Sequence, residues 1–263
     1  MKKTLVSLAL ISAFAAPAMA EEASPLTFNV GVVSDYVFRG ISQTQHQPAV
    51  QGGVDYAHSS GLYVGAWGST VEWVNRKDWS YQKDNKFEFD LYGGYKNTVG
   101  GIGYDVGMIR YYYPGKFQGD YNGGPNTTAN TTEAYVGLTY GIATFKYSQA
   151  LTSFMGWGYD APSRSSKGSA YYDLTVTYPY NETVNVIAHI GRQDVKNDNN
   201  NNGQWSYTDY KLGVTKDIGF GVVGLTYTAT NAAYDASSPS ANYAWASKNV
   251  GKDVFALSFL KNF

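Results

Sequence analysis

His46, His58 and His189 are the only histidines in a chain of 263 residues that has no cysteine. Acyl transfer needs a nucleophile, a base and an orienting group within hydrogen-bond reach. A zinc site needs three or four clustered His or Cys ligands. The pattern around the three histidines predicts His46 in an outer loop, His58 in a turn on the opposite side and His189 within a strand, so they cannot converge. No motif marks a nucleophilic serine beside any of them. Gly100-Gly101-x-Gly103 leads into a strand pattern with no helix after it, which argues against a nucleotide loop. The expectation is no enzyme, no metal and no cofactor. The remaining chemistry lies in charged residues of one parity. Asp35, Asp55, Glu88, Asp90, Asp105, Glu133, Asp173 and Asp209, with Arg39, Lys96, Lys146, Lys211 and His189, all alternate with apolar neighbours. Buried charges are costly unless paired or wet. Such a set suits the lining of a narrow wet pore, with a solid salt-bridged plug as the competing arrangement.

The elements that must carry these residues are strands. Period-2 alternation runs from Phe28 to Phe263. Its clearest stretch sets Phe87, Phe89, Leu91 and Tyr95 against Glu88, Asp90 and Lys96. The first run is read through Phe28, Val30 and Val32 and on to Ser34, Tyr36 and Phe38, with Asp35 and Arg39 on its polar face. The run from Leu62 is too glycine-rich to assign faces. About twelve strands of roughly ten residues result, the length a tilted membrane strand needs. Connections alternate long and short: long near 40–47, 72–85, 113–130, 151–168, 193–206 and 231–250, short near 58–61, 97–100, 141, 179–182 and 217–219. Outer-membrane barrels have long outer loops and short periplasmic turns. The tracts 122–125 and 197–202 are the most polar loop segments. The fold expected is an all-β, transmembrane, antiparallel up-and-down barrel. Aromatics near strand ends suggest two interfacial belts: Tyr36, Phe38, Tyr111, Trp73, Trp157 and Trp205 on the outer side, and Tyr56, Tyr63, Tyr95, Tyr104, Tyr140, Tyr178 and Phe263 on the periplasmic side.

The N-terminus directs this barrel to the cell envelope. Lys2 and Lys3 precede an apolar run over 5–16, and Ala18-Met19-Ala20 is an A-x-A cleavage site, so 1–20 reads as a signal peptide and 21–263 as the barrel. The run is too short for a spanning helix. Cleavage removes two of the 20 basic residues and none of the 21 acidic ones, leaving 18 against 21 and a net charge of −3. With no basic patch, nucleic acid is not an expected partner. A closed sheet needs no disulfides, because closure leaves no unpaired edge.

Ser34-Asp35-Tyr36-Val37-Phe38-Arg39-Gly40-Ile41-Ser42-Gln43-Thr44 carries a resemblance. With 48–56 and 61–67, it resembles the TorF-family putative porins, proteobacterial proteins long catalogued without a function. The likeness is specific as far as Trp67 and implies an outer-membrane barrel of porin type. It supplies no substrate. The terminal Phe263, on an alternating aromatic strand, also looks like the signal read by the barrel assembly machinery.

The function expected is a small porin passing small hydrophilic solutes or ions. Eight inward carboxylates against Arg39, Lys96, Lys146 and Lys211 make it weakly cation-selective. Glu88, Asp90 and Asp105 form the expected negative patch. Arg110 and Arg192 continue the apolar parity at the outer end and should contact lipopolysaccharide phosphates. The other readings are a non-conducting barrel whose loops bind a partner and, further off, an outer-membrane enzyme.

Overall fold

The computed structural model describes residues 24–74, 85–116, 128–157, 165–198, 205–232, 234, 243–245 and 248–263. The expected signal peptide 1–20, the loop tract 122–125 and most of 197–202 lie outside the described residues.

Sixteen strands occur in chain order among the described residues: β1 (Leu26–Val33), β2 (Val37–Phe38), β3 (Ile41–Ser42), β4 (Ala49–Ala57), β5 (Leu62–Thr70), β6 (Phe87–Val99), β7 (Ile102–Tyr112), β8 (Thr131–Tyr140), β9 (Ala143–Ala150), β10 (Ala170–Pro179), β11 (Val184–Asp194), β12 (Tyr207–Asp217), β13 (Val222–Thr230), β14 (Ala244–Trp245), β15 (Lys248–Asn249) and β16 (Val254–Asn262). Twelve of them close into one barrel, each paired antiparallel to its neighbours, in the order β1-β16-β13-β12-β11-β10-β9-β8-β7-β6-β5-β4. The short pairs β2–β3 and β14–β15 stand apart from the wall.

The wall follows from the alternation. One row of each barrel strand is apolar and exposed, as with Phe87, Phe89 and Leu91 on β6 and Leu212 and Val214 on β12. The other row points into the bore and holds the charges: Glu88 and Asp90 on β6, Asp209 on β12, all buried. All twelve barrel strands carry exposed large apolar residues. This inverts the usual arrangement of a soluble protein. The faces of β5 are now assigned: Tyr63, Gly65, Trp67 and Ser69 point inward. Gly65 is glycine for a reason of space, since a Cβ there would lie 2.4 Å from the Tyr92 ring and 2.5 Å from the Asp55 carboxylate.

Short turns at 58–61, 100–101, 141–142, 180–183 and 218–221 gather at one end, with both ends of the barrel chain, and the long connections lie at the other. The first long connection differs from its expectation. β1 ends at Val33, and 34–48 turns back into the bore, where β2 and β3 form a tight hairpin. Tyr36 and Phe38 therefore do not continue an outward row. Tyr36 is 5 % exposed and meets Trp67 edge-on at 5.5 Å, while Phe38 meets Tyr111 at 5.6 Å. Trp73 and Tyr111 are buried in the same interior cluster, and Trp157 and Trp205 pack on it. The outer aromatic belt expected of these six is instead a core inside the barrel mouth: Tyr111 takes the inward parity of β7, and the connections that carry the other five fold inward. At the short-turn end Tyr56, Tyr140, Tyr178 and Phe263 are exposed, whereas Tyr63 points into the bore and donates to Asp105 at 2.7 Å.

Candidate functional site

The site is the bore with the hairpin seated in it. Arg39, at the hairpin tip, has a left-handed φ of 47°, and Gly40 follows at 80°. The turn aims the guanidinium at the wall of β8. Arg39 grips Glu133 with both forks, at 3.0 and 2.6 Å, and donates to Gln193 of β11 at 3.0 Å. Its cation stacks over Tyr171 at 4.3 Å and Phe38 at 4.8 Å. Burial opposes the charge on Arg39, but the Glu133 carboxylate more than offsets this and holds its pKa above the ordinary value. Tyr36 donates to Glu88 at 3.1 Å. Burial, then the charges of Glu88 and Asp90, push the Tyr36 hydroxyl well above its ordinary pKa, so it stays a donor. At the hairpin base Asp35 accepts from Ser42 at 2.5 Å and Thr44 at 3.1 Å, and lies 2.7 Å from His46 Nδ1. The other nitrogen of His46 lies 2.8 Å from the Asn249 carbonyl. Asp35 and Arg39 thus face the bore from the hairpin and not, as expected, from a continuation of the first wall strand.

The other sequence-predicted bore residues lie on the inner wall. Tyr92 donates to Asp55 at 2.6 Å. Lys96 lies 5.4 Å from the Tyr63 ring centre and Lys146 4.0 Å from that of Tyr135. The expected trio divides. Glu88 and Asp90 lie beneath the hairpin, but Asp105 pairs in register with Lys96, six residues farther along β6 than Asp90. At about 3.3 Å per residue, that is about 20 Å along the strand, or about 15 Å down the bore at the tilt of a barrel strand.

His189 lies between two carboxylates, 3.4 Å from Asp173 through Nδ1 and 3.0 Å from Asp209 through Nε2. Thr175 Oγ1 is 3.0 Å from the same Nδ1. This looks like a nucleophile–base–acid series, but Thr175 directs its proton to Asp173 at 2.7 Å. Thr175, His189, Asp173 and Asp209 thus form one buried hydrogen-bonded network across β10, β11 and β12. Tyr171 completes it by donating to Asp209 at 2.9 Å. Selecting inward residues by charge alone passed over Gln193, Tyr171 and Thr175. Parity could have found Gln193, which continues the row of His189.

Beneath the hairpin tip a cavity of about 60 Å³ is lined by Arg39, Lys146, His189 and Lys211 on one side and by Trp67 and Tyr111 on the other. No group of three His, Cys, Asp or Glu that could hold a metal occurs among the described residues. Arg110 and Arg192 take the outward parity near the long-loop end. Arg110 donates to Thr132 at 2.8 Å and Arg192 to Asp194 at 2.7 Å.

Residues 18–263 match the family described as "Bacterial protein of unknown function (Gcw_chp)", and the chain belongs to that family. No curated protein matches the sequence. Among solved structures, the chain is similar in fold to the KdgM porin, with a TM-score of 0.52, 4 % identity, and 90 % of this chain and 98 % of that one covered. The KdgM porin in complex with disordered oligogalacturonate gives a TM-score of 0.53 at the same identity and coverage. OccD3 (OpdP) of Pseudomonas aeruginosa is more distant, with a TM-score of 0.40, 13 % identity, and 93 % of this chain and 66 % of that one covered.

Proposed function

We propose that this Gcw_chp protein is an outer-membrane channel for small hydrophilic solutes or ions, narrowed by the β2–β3 hairpin and weakly selective for cations. The observation that carries this reading is the inverted wall, apolar outside on every barrel strand and charged within. Only a closed barrel or helices can satisfy every backbone group in lipid, and a charged interior has no use there without water or paired charge. The porin fold of the similar structures and the TorF-type likeness of 34–67 support the same reading. With Arg39 paired to Glu133, seven bore carboxylates remain against Lys96, Lys146 and Lys211, so the balance is negative and favours cations.

In this setting Arg110 and Arg192 face the lipopolysaccharide layer, where guanidinium forks suit phosphates. Arg192 is the weaker anchor because Asp194 shares it. Phe263 offers its exposed ring to the barrel assembly machinery, its backbone tied to Phe28 by bonds of 2.9 and 3.2 Å.

A second reading, a non-conducting barrel, is favoured by the buried hairpin. Planar-bilayer recording decides between them. The channel reading expects small unitary currents and a reversal potential of cation sign in a potassium chloride gradient. Anion selectivity would refute the charge assignment. Silence in the wild type and in Arg39→Ala alike would leave the non-conducting barrel.

A further inference from the structure

We propose that Glu88 and Asp90 together bind one hard divalent cation, calcium in the first instance, where the hairpin meets the wall. The two side chains stand two residues apart on the inner face of β6, and Asp90 is 0 % and Glu88 1 % exposed. Both carboxylate oxygens of Asp90, and Oε2 of Glu88, have no hydrogen-bond partner among the described residues. A buried carboxylate in that state must be neutralised. One proton would neutralise one of the pair, whereas one divalent cation neutralises both.

The surrounding donors select the ion. Tyr36 places its hydroxyl 3.1 Å from Glu88 Oε1. Ser69, fully buried, is the cross-strand neighbour of Glu88. These donors are oxygens, which suits a hard cation. Magnesium keeps several of its waters and demands a regular octahedron, while calcium accepts an irregular shell and fewer waters. So dry a seat favours calcium. Arg39, the cation of the hairpin, is held by Glu133. Two carboxylates completed by hydroxyls make a modest site, with a Kd on the order of 10⁻⁴–10⁻³ M. Binding requires only the inward placement of these side chains and is independent of conduction.

The test uses the full chain folded in detergent, stripped with chelator, and titrated with calcium, magnesium or potassium chloride at matched ionic strength. Millimolar calcium should raise the unfolding temperature of the wild type by about 2–4 °C. Magnesium should do less, and Glu88→Gln with Asp90→Asn should abolish the shift. Terbium luminescence, sensitised by Tyr36 and Trp67 and quenched by added calcium, reads occupancy in the wild type even where the double variant fails to fold. No calcium-specific shift, or one that survives in the double variant, overturns the site. So does an infrared band of a protonated carboxyl at neutral pH that disappears in Asp90→Asn, which would put a proton where the cation is proposed.

Discussion

Arg39 has one dominant partner, and that makes its replacement informative. Arg39→Ala leaves the buried Glu133 without its ion-pair partner, with the Tyr111 hydroxyl at 3.4 Å as a weak remaining donor, which costs about 3–5 kcal/mol. The expected outcome is an unfolding midpoint in urea well below that of the wild type, with part of the loss recovered in Arg39→Ala with Glu133→Gln. Equal loss in the single and double variants would mean that the fork matters by packing on Tyr171 and Phe38 rather than by charge. Gly191 is a second sensitive point. A Cβ there would meet the Tyr171 hydroxyl at 2.0 Å and Asp209 Oδ2 at 2.7 Å. Gly191→Ala should destabilise by about 1–3 kcal/mol through overpacking. Gly103→Ala, whose nearest contact is an ordinary 3.5 Å, should stay close to wild type in the same urea series.

The hairpin is the element whose removal separates stopper from scaffold. Replacing 36–46 by a glycine–serine linker should leave a barrel that still shifts its gel mobility on heating. It should also raise the unitary conductance several-fold in bilayers, and an unchanged conductance would place the constriction elsewhere. This element was the part of the fold least legible in the sequence. The wall strands were legible because alternation is local: Phe87 to Lys96 shows its two faces without reference to any other strand. Residues 34–42 alternate just as well, so they read as more of β1. Their departure from the wall is decided by Glu133, 94 residues away, by Gln193, 154 away, and by Asn249, 203 from His46. The local hint was Arg39-Gly40, a pair suited to a left-handed turn. The site was legible to the same degree. Parity placed Asp173, His189 and Asp209 in the bore, but which charges touch, and that Asp105 lies far below Asp90, depended on register.

At the scale of the whole molecule, orientation follows from the two unlike ends. A cysteine replacing Lys248, exposed on the long-loop side, should react with an impermeant maleimide on intact cells, and one replacing Ser60 should not. The native chain contributes no cysteine of its own. Labelling of Ser60 alone would turn the barrel over. The cylinder also has a seam, where β1 meets β16 over five register pairs, against eight between β1 and β4. The hairpin hangs from the far end of β1, and its fastenings belong to β6, β8, β11 and residue 249. A stopper tethered at the rim can be set after the bottle is made. Closure of the wall rests on the β1–β16 and β1–β4 pairings, and seating of the hairpin on Arg39 and Glu133, so the two steps are separable. A chain that loses this grip should still close its wall and keep a loose stopper in an intact cylinder.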